Sequence, residues 1–160
     1  MTVMGVLAGG LLGTFVLTTV LRAASEIGLT RVDLPFLLGT LFTDDRSRAN
    51  VIGYAAHFVF GLVFALGYGV FFLAIGTSGW MLGAALGLLH GLFAATALVN
   101  VVLPAIHPRM GKPWTDASSS PLIEPPGFLM LNYGRGTPLV STIAHVVYGA
   151  IVGGLASVGA

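Results

Sequence analysis

The sequence contains no cysteine and very little charge. Only 8% of its 160 residues are charged and 56% are hydrophobic, whereas a soluble domain carries roughly 25% charged residues. Without cysteine the chain forms no disulfide, no thiolate metal site and no cysteine nucleophile. A net charge of +1, with no basic run, argues against nucleic acid as a partner. The composition predicts one integral membrane domain, residues 1–160, in contact with the lipid bilayer.

Charge is missing from stretches long enough to cross a membrane. A spanning helix needs roughly 20 apolar residues, and residues 49–108 contain no Asp, Glu, Lys or Arg. That length suits two crossings, which the turn signal GTSG at residues 76–79 separates. We therefore predict an all-α membrane protein with four transmembrane helices, at residues 3–22, 51–75, 80–104 and 138–158.

The basic residues predict the orientation of these helices. All seven lie in or beside the two long loops between the first and second and between the third and fourth helices: Arg22, Arg31, Arg46, Arg48, Arg109, Lys112 and Arg135. Four crossings put both loops on one side. The positive-inside rule makes that side the cytoplasm and places both termini outside.

Each long loop also contains an apolar run that is too short to span, LPFLLGTLF (34–42) and PPGFLMLNY (125–133). We expect these runs to lie along the interface or to re-enter the membrane as a cap over the four helices, because exposed irregular backbone is not tolerated in lipid.

Two nearly identical phrases, AHFVFG (56–61) and AHVVYG (144–149), indicate an internal repeat. The loops contribute a second match, DLPFLLG from Asp33 and EPPGFLM from Glu124, in the same order. A third match aligns the glycines of the first and third helices: Gly5, Gly9 and Gly13 with Gly83, Gly87 and Gly91. We predict two parallel helix-loop-helix repeats, residues 3–75 and 80–158.

The six aligned glycines form a stripe on each of two helices. Small residues let helices approach closely in lipid, although glycine is also generally common in membrane helices. We expect the first and third helices to pack on each other through these stripes, or the stripes to receive a partner.

Histidines supply most of the remaining chemistry. His57 and His145 occupy equivalent positions in the repeats and hence similar depths, so they are candidates for axial ligation of a haem iron. Gly61 and Gly149, four residues later, would then leave room for the macrocycle. Packing roles, and proton or solute handling, remain alternatives. His90 is a third candidate cofactor-binding residue, deeper in the membrane, with Thr18, Thr96 or Asn100 as potential partners.

No metal site is expected. His107 follows the third helix and is predicted to lie at the surface. A site combining it with Asp116 or Glu124 lacks an HxxxH or HExxH spacing. P-loop, GxGxxG and GxSxG motifs are missing as well, so no enzymatic activity is expected.

The leading functional prediction is an accessory or scaffold subunit of a membrane complex, which packs with other membrane subunits or with itself. The alternatives are a haem-type cofactor protein and, third, a small transporter or channel, for which few ionisable groups are available.

One resemblance bears on location. HFVFGLVFALGYG (57–69), followed by WMLGAALGLLHGLFAATALVNVVLPAIHPR (80–109) and a second histidine helix, resembles the uncharacterised YagU-like bacterial inner-membrane proteins over roughly Ile52 to Gly149. The resemblance implies a multi-pass protein of the bacterial inner membrane. It brings no catalytic residues and no substrate.

Overall fold

Five α-helices and one short 3₁₀ segment form the computed structural model, which describes residues 1–110 and 123–158. The helices are α1 (Val3–Glu26), α2 (Leu34–Gly39), α3 (Arg46–Ile75), α4 (Trp80–Ile106) and α5 (Thr137–Ser157), and the 3₁₀ segment is Phe128–Tyr133. Four of them, α1, α3, α4 and α5, are long and apolar enough to cross a membrane, which confirms the four predicted helices. Lys112 and Asp116 lie outside the described residues.

Local signals explain where these helices begin and end. The Thr2 hydroxyl accepts the Gly5 N–H at 3.1 Å and so caps α1. The Asp45 carboxylate accepts the Arg48 N–H at 2.8 Å, so α3 begins at Arg46, five residues before the predicted start. Its first turn is polar, which hydropathy alone does not identify as helix. Gly76, at φ 71°, ends α3 in the left-handed conformation.

The four long helices form an open array in the order α3, α1, α5, α4. Among the described residues, the extensive contacts between long helices join α3 to α1, α1 to α5 and α5 to α4. All four alternate in direction along the chain, so the two long loops lie at one end of the array, which we call the loop end. A closed bundle would also pair the outer helices, α3 and α4, along their length. Here they meet chiefly through side chains, such as Phe64 on His90.

Both glycine stripes face α5 instead of each other, which corrects the predicted packing of the first helix on the third. A Cβ at Gly9 would lie 2.8 Å from the Val152 Cα, and one at Gly13 would lie 2.8 Å from the Tyr148 ring. On the other side of α5, a Cβ at Gly87 would overlap the His145 carbonyl. The remaining stripe residues, Gly5, Gly83 and Gly91, likewise meet α5, at Leu155, Gly149 and His145.

A second surface of α1 receives α3. A Cβ at Gly10 would lie 2.7 Å from the Ala65 Cβ, and one at Gly61 would overlap the Thr14 hydroxyl. Backbone approach of this kind replaces the hydrophobic effect as the driving force for helix association in lipid. The helix α1 therefore holds α3 with one face and α5 with another.

The loop-end half of α4 departs from α-helical geometry. Backbone hydrogen bonds widen to the π pattern over Ala94–Val102 before the helix ends at Ile106. Pro104 follows this segment, and it has neither an N–H to donate to the Asn100 carbonyl nor room for that carbonyl beside its ring. A regular α-helix cannot run unchanged through this point, and π segments are frequent at functional sites.

The contact between α4 and α5 can be tested with a matched pair of glycine variants. We expect Gly87→Ala to destabilise the protein by about 1–3 kcal/mol, because the added methyl group forces two backbones apart. Gly67 has open space around it and is exposed, so Gly67→Ala should be neutral or stabilising by up to about 1 kcal/mol through helix propensity. Thermal unfolding in mild detergent measures both. Equal effects of the two variants would contradict the packing described here.

Candidate functional site

A cavity of about 290 Å³ lies between α3 and α4, in the loop-end half of the array. Its back wall is formed by α1 and α5, which carry Thr14, Leu17, Ser141 and Tyr148 there. The π segment of α4 forms one side, and the residues after α1 together with Met130 close the loop end. The walls are almost entirely apolar, as expected for a small-molecule pocket with few polar groups.

The cavity opens sideways, between the two outer helices. Its rim includes Val63 of α3 and Ile106 of α4, whose side chains are 58% and 64% exposed on the outer surface of the array. Phe60 and Val102 are also both rim residues and exposed. In a protein whose long helices span a bilayer, such an opening leads to the lipid phase.

Three histidines from three different helices, His57, His90 and His145, line this cavity. These are the candidate cofactor-binding residues predicted from the sequence, and the fold brings them to one cavity. His57 and His145 are buried and His90 is half-buried. The rings of His90 and His145 lie 4.8 Å apart between centroids, edge to face.

A chain of hydrogen bonds assigns the proton on His57. The Thr18 hydroxyl donates to the Thr14 carbonyl at 2.7 Å, which uses the only hydrogen of that hydroxyl. The contact of 3.2 Å between Thr18 Oγ1 and His57 Nδ1 must therefore be a bond donated by Nδ1–H. In the neutral ring this leaves a lone pair on Nε2 of His57.

His145 is held in the same tautomer by a different partner. Its Nδ1 lies 2.7 Å from the Ser141 carbonyl oxygen, which can only accept, so Nδ1 carries the hydrogen. The lone pair of neutral His145 is consequently also on Nε2. No described residue donates a hydrogen bond to the Nε2 atom of His57 or of His145.

The third histidine is surrounded by aromatic rings. His90 stacks on Phe64 with centroids 3.9 Å apart and contacts Tyr148 and Tyr68 through ring edges. Its Nδ1 lies 3.4 Å from the Tyr68 hydroxyl. Tyr68 is thus the partner that sequence reasoning missed, and the expected partners Thr18 and Thr96 bond to His57 and to the Leu92 carbonyl.

The structure removes one support for the haem prediction. Gly61 and Gly149 were expected to leave space for a macrocycle, but Thr14 occupies the space beside Gly61, and Gly83 and Gly87 occupy the space beside Gly149. These glycines serve helix packing. In residues 1–110 and 123–158, no group of three or more His, Asp or Glu side chains is placed to hold a metal ion.

A cap closes the loop end of the cavity. α2 lies directly on the first turns of α3, where Gly39 and Gly53 permit backbone contact. The 3₁₀ segment packs on the π segment of α4, and the Arg31 N–H donates to the Tyr133 carbonyl at 2.7 Å. One apolar loop run therefore packs on α3 and the other on α4.

Strained backbone lies beside the cavity in this cap. Leu129 and Met130 have φ of 54° and 58°, a conformation that costs non-glycine residues on the order of 1–3 kcal/mol each. Met130 is buried and lines the cavity, so packing against the helix ends holds this conformation in place.

His107 joins the cap to α4 and is 3% exposed, which corrects the prediction that it lies at the surface. Its Nδ1 accepts the Arg109 N–H at 3.1 Å, so Nε2 carries the hydrogen. That hydrogen faces the Leu37 carbonyl at 3.3 Å and the Thr40 hydroxyl at 3.2 Å. Glu124, which was considered with His107 for a metal site and not expected to form one, pairs with Arg31 at 3.6 Å.

Comparison with protein-family models, with curated proteins and with solved structures finds no match to this chain. The resemblance to YagU-like proteins stays a prediction.

The bonds of His107 predict a pH-dependent stability. Burial, opposed by the bond to the Leu37 carbonyl and aided by the charge of Arg109, lowers the pKa of His107 below its usual value of 6.5. As pH falls, His107 is therefore protonated in the unfolded chain before it is protonated in the folded protein. The stabilising contribution of neutral His107 is full above pH 6.5 and is lost as pH falls through the lower pKa of the folded protein.

Thermal unfolding between pH 8 and pH 5 tests this contribution. We expect the native protein to lose more stability on acidification than His107→Gln, which keeps a donor for the Leu37 carbonyl but does not titrate. Identical pH profiles for the two proteins would show that neutral His107 does not stabilise the contact between the cap and α4.

Proposed function

We propose that this chain is a multi-pass membrane protein that binds a lipophilic small molecule in the cavity between α3 and α4. One observation carries the proposal: an apolar cavity bordered by exposed residues of the two outer helices, at which three helices place histidines. Its volume of about 290 Å³ is close to the lower end of typical ligand pockets, roughly 300–1,000 Å³. A ligand that partitions into lipid reaches such a site without crossing water.

The chemistry of the lining favours binding over turnover. No Asp, Glu, Lys or Arg is found among the residues that line the cavity in the described part of the chain. An accessory subunit that holds such a ligand for a membrane complex needs no catalytic group of its own. The proposed binding role is therefore compatible with the accessory role expected from the sequence.

Haem binding remains the second candidate, favoured by the histidine tautomers. Ligating histidines usually donate the other ring N–H to a carbonyl or similar acceptor and so present one lone pair to the metal, as His145 does through Ser141. A visible spectrum of the purified protein separates the candidates. A Soret band that disappears in both His57→Ala and His145→Ala would establish haem, whereas we expect no such band.

We further propose that the loop end faces the bacterial cytoplasm and that both termini lie outside. Every basic residue in the described part of the chain lies at or near the loop end, and the opposite turn, residues 76–79, has none. The native chain has no cysteine, so single cysteines report sidedness without background.

Cysteine labelling of intact cells tests the orientation. A membrane-impermeant maleimide should label Thr77→Cys in intact cells and should label Asp44→Cys only after permeabilisation. The reverse pattern would invert the proposed topology and leave the cavity proposal unaffected.

Filling the cavity tests the binding proposal. Ala94 lines the cavity and is buried, whereas Ala85, on the same helix, is exposed on the outer surface. Native mass spectrometry of the protein released from mild detergent should show a one-to-one complex with a small lipophile. We expect Ala94→Phe to lose this complex and Ala85→Phe to retain it. Retention by both variants would place the ligand elsewhere, and a protein without any adduct would contradict the proposal.

A further inference from the structure

We infer that the cavity takes a lipid-soluble hydroquinone, a flat ring with two O–H donors and apolar substituents. This inference rests on the proposed function, since it names the chemical class of the ligand in the same cavity. It concerns binding alone, and no electron transfer is part of it.

Two histidines at the cavity, His57 and His145, have fixed tautomers. The Nδ1–H of His57 is donated to Thr18, and the Nδ1–H of His145 is donated to the Ser141 carbonyl. Both imidazoles line the same cavity, and each retains a lone pair on Nε2. The two rings come from different helices, α3 and α5.

Three hydroxyl groups line the cavity, on Thr14, Ser141 and Tyr148, and those of Thr14 and Tyr148 do not supply the matching donors. The Thr14 hydroxyl donates to the Gly10 carbonyl at 2.7 Å, and the Tyr148 hydroxyl donates to the Gly61 carbonyl. Both hydroxyl hydrogens are therefore already donated to backbone carbonyl groups. A ligand that brings its own donors can bond to the two imidazole nitrogens, and each such hydrogen bond adds to the free energy of binding.

The other residues that line the cavity indicate the charge and the ring type of the ligand. Apolar side chains and the absence of a cationic group from the described lining disfavour an ionised carboxylate or phosphate. Phe64, His90 and Tyr148 already contact one another as stacked or edge-to-face rings, and an aromatic ring extends such a cluster favourably. A hydroquinone places two donors on one aromatic ring, whereas a lipid alcohol has one. The oxidised quinone has acceptors only and cannot bond to either Nε2.

The test compares the two redox forms of one probe. The purified protein in mild detergent is titrated anaerobically with a decyl-substituted benzoquinol and with the corresponding quinone, by isothermal titration calorimetry. We expect the quinol to bind about tenfold tighter or more, because each neutral hydrogen bond contributes on the order of a fewfold to tenfold in affinity. Equal affinities, or a tighter quinone, would overturn the inference.

Histidine variants assign the preference to the two acceptors. His57→Phe and His145→Phe each remove a lone pair, so each should lower quinol affinity about fivefold to tenfold and leave quinone affinity nearly unchanged. His107→Phe is the matched control, because His107 is a buried histidine of the cap that does not line the cavity. A loss of quinol preference in the control, or its survival in both cavity variants, would contradict the assignment.

A measurement on the unmutated protein covers the case in which a variant fails to fold. With ¹⁵N-labelled histidine, the NMR signals of the unprotonated Nε2 atoms of His57 and His145 should move on addition of quinol and not of quinone. If neither probe binds while native mass spectrometry shows another lipophile in the cavity, the hydroquinone is wrong and the binding function stands. If no lipophile of any kind binds, both the hydroquinone inference and the proposed binding function are wrong.

Discussion

α5 lies between α1 and α4, and glycine lets both neighbours approach its backbone. In lipid, apolar side chains gain little by leaving the bilayer for a helix interface, so the association energy must come from close packing. Gly9 and Gly13 of α1 meet one face of α5, and Gly83 and Gly87 of α4 meet another. The other outer helix, α3, makes its closest backbone approach to α1, where Gly61 receives the Thr14 side chain.

The cavity is a consequence of this arrangement. Glycine contacts hold three pairs of neighbouring helices together, and the fourth possible pair, α3 with α4, meets through ring contacts such as Phe64 on His90. On the loop-end side of these rings the cavity lies between the two outer helices, and the π segment of α4 lines it. The same α1–α5 unit that closes the back of the cavity also sets the tautomers of its histidines, because Thr18 and Ser141 accept their Nδ1 hydrogens.

The sequence predicted the crossings better than it predicted the packing. Length and the distribution of charge suffice for four spans, and the repeated phrase placed His57 and His145 at one level. Packing partners were missed because lipid-facing and buried faces of these helices are equally apolar, so hydropathy does not show which face meets which helix. Glycine marks a close approach without naming its partner, which is why both stripes were assigned to each other and Gly61 to a ligand. His107 was placed at the surface because its contacts, Leu37 and Thr40, are about 70 residues away in the chain.

Photocrosslinking from inside the cavity tests the central claim most directly. Leu98 lines the cavity, and Leu89 on the same helix is 64% exposed on its outer surface. With p-benzoylphenylalanine at position 98, irradiation of native membranes should yield an adduct with one small lipophile. The same group at position 89 should react with bulk phospholipid. Phospholipid adducts at both positions, or a polypeptide captured from position 98, would contradict a ligand-binding cavity between α3 and α4.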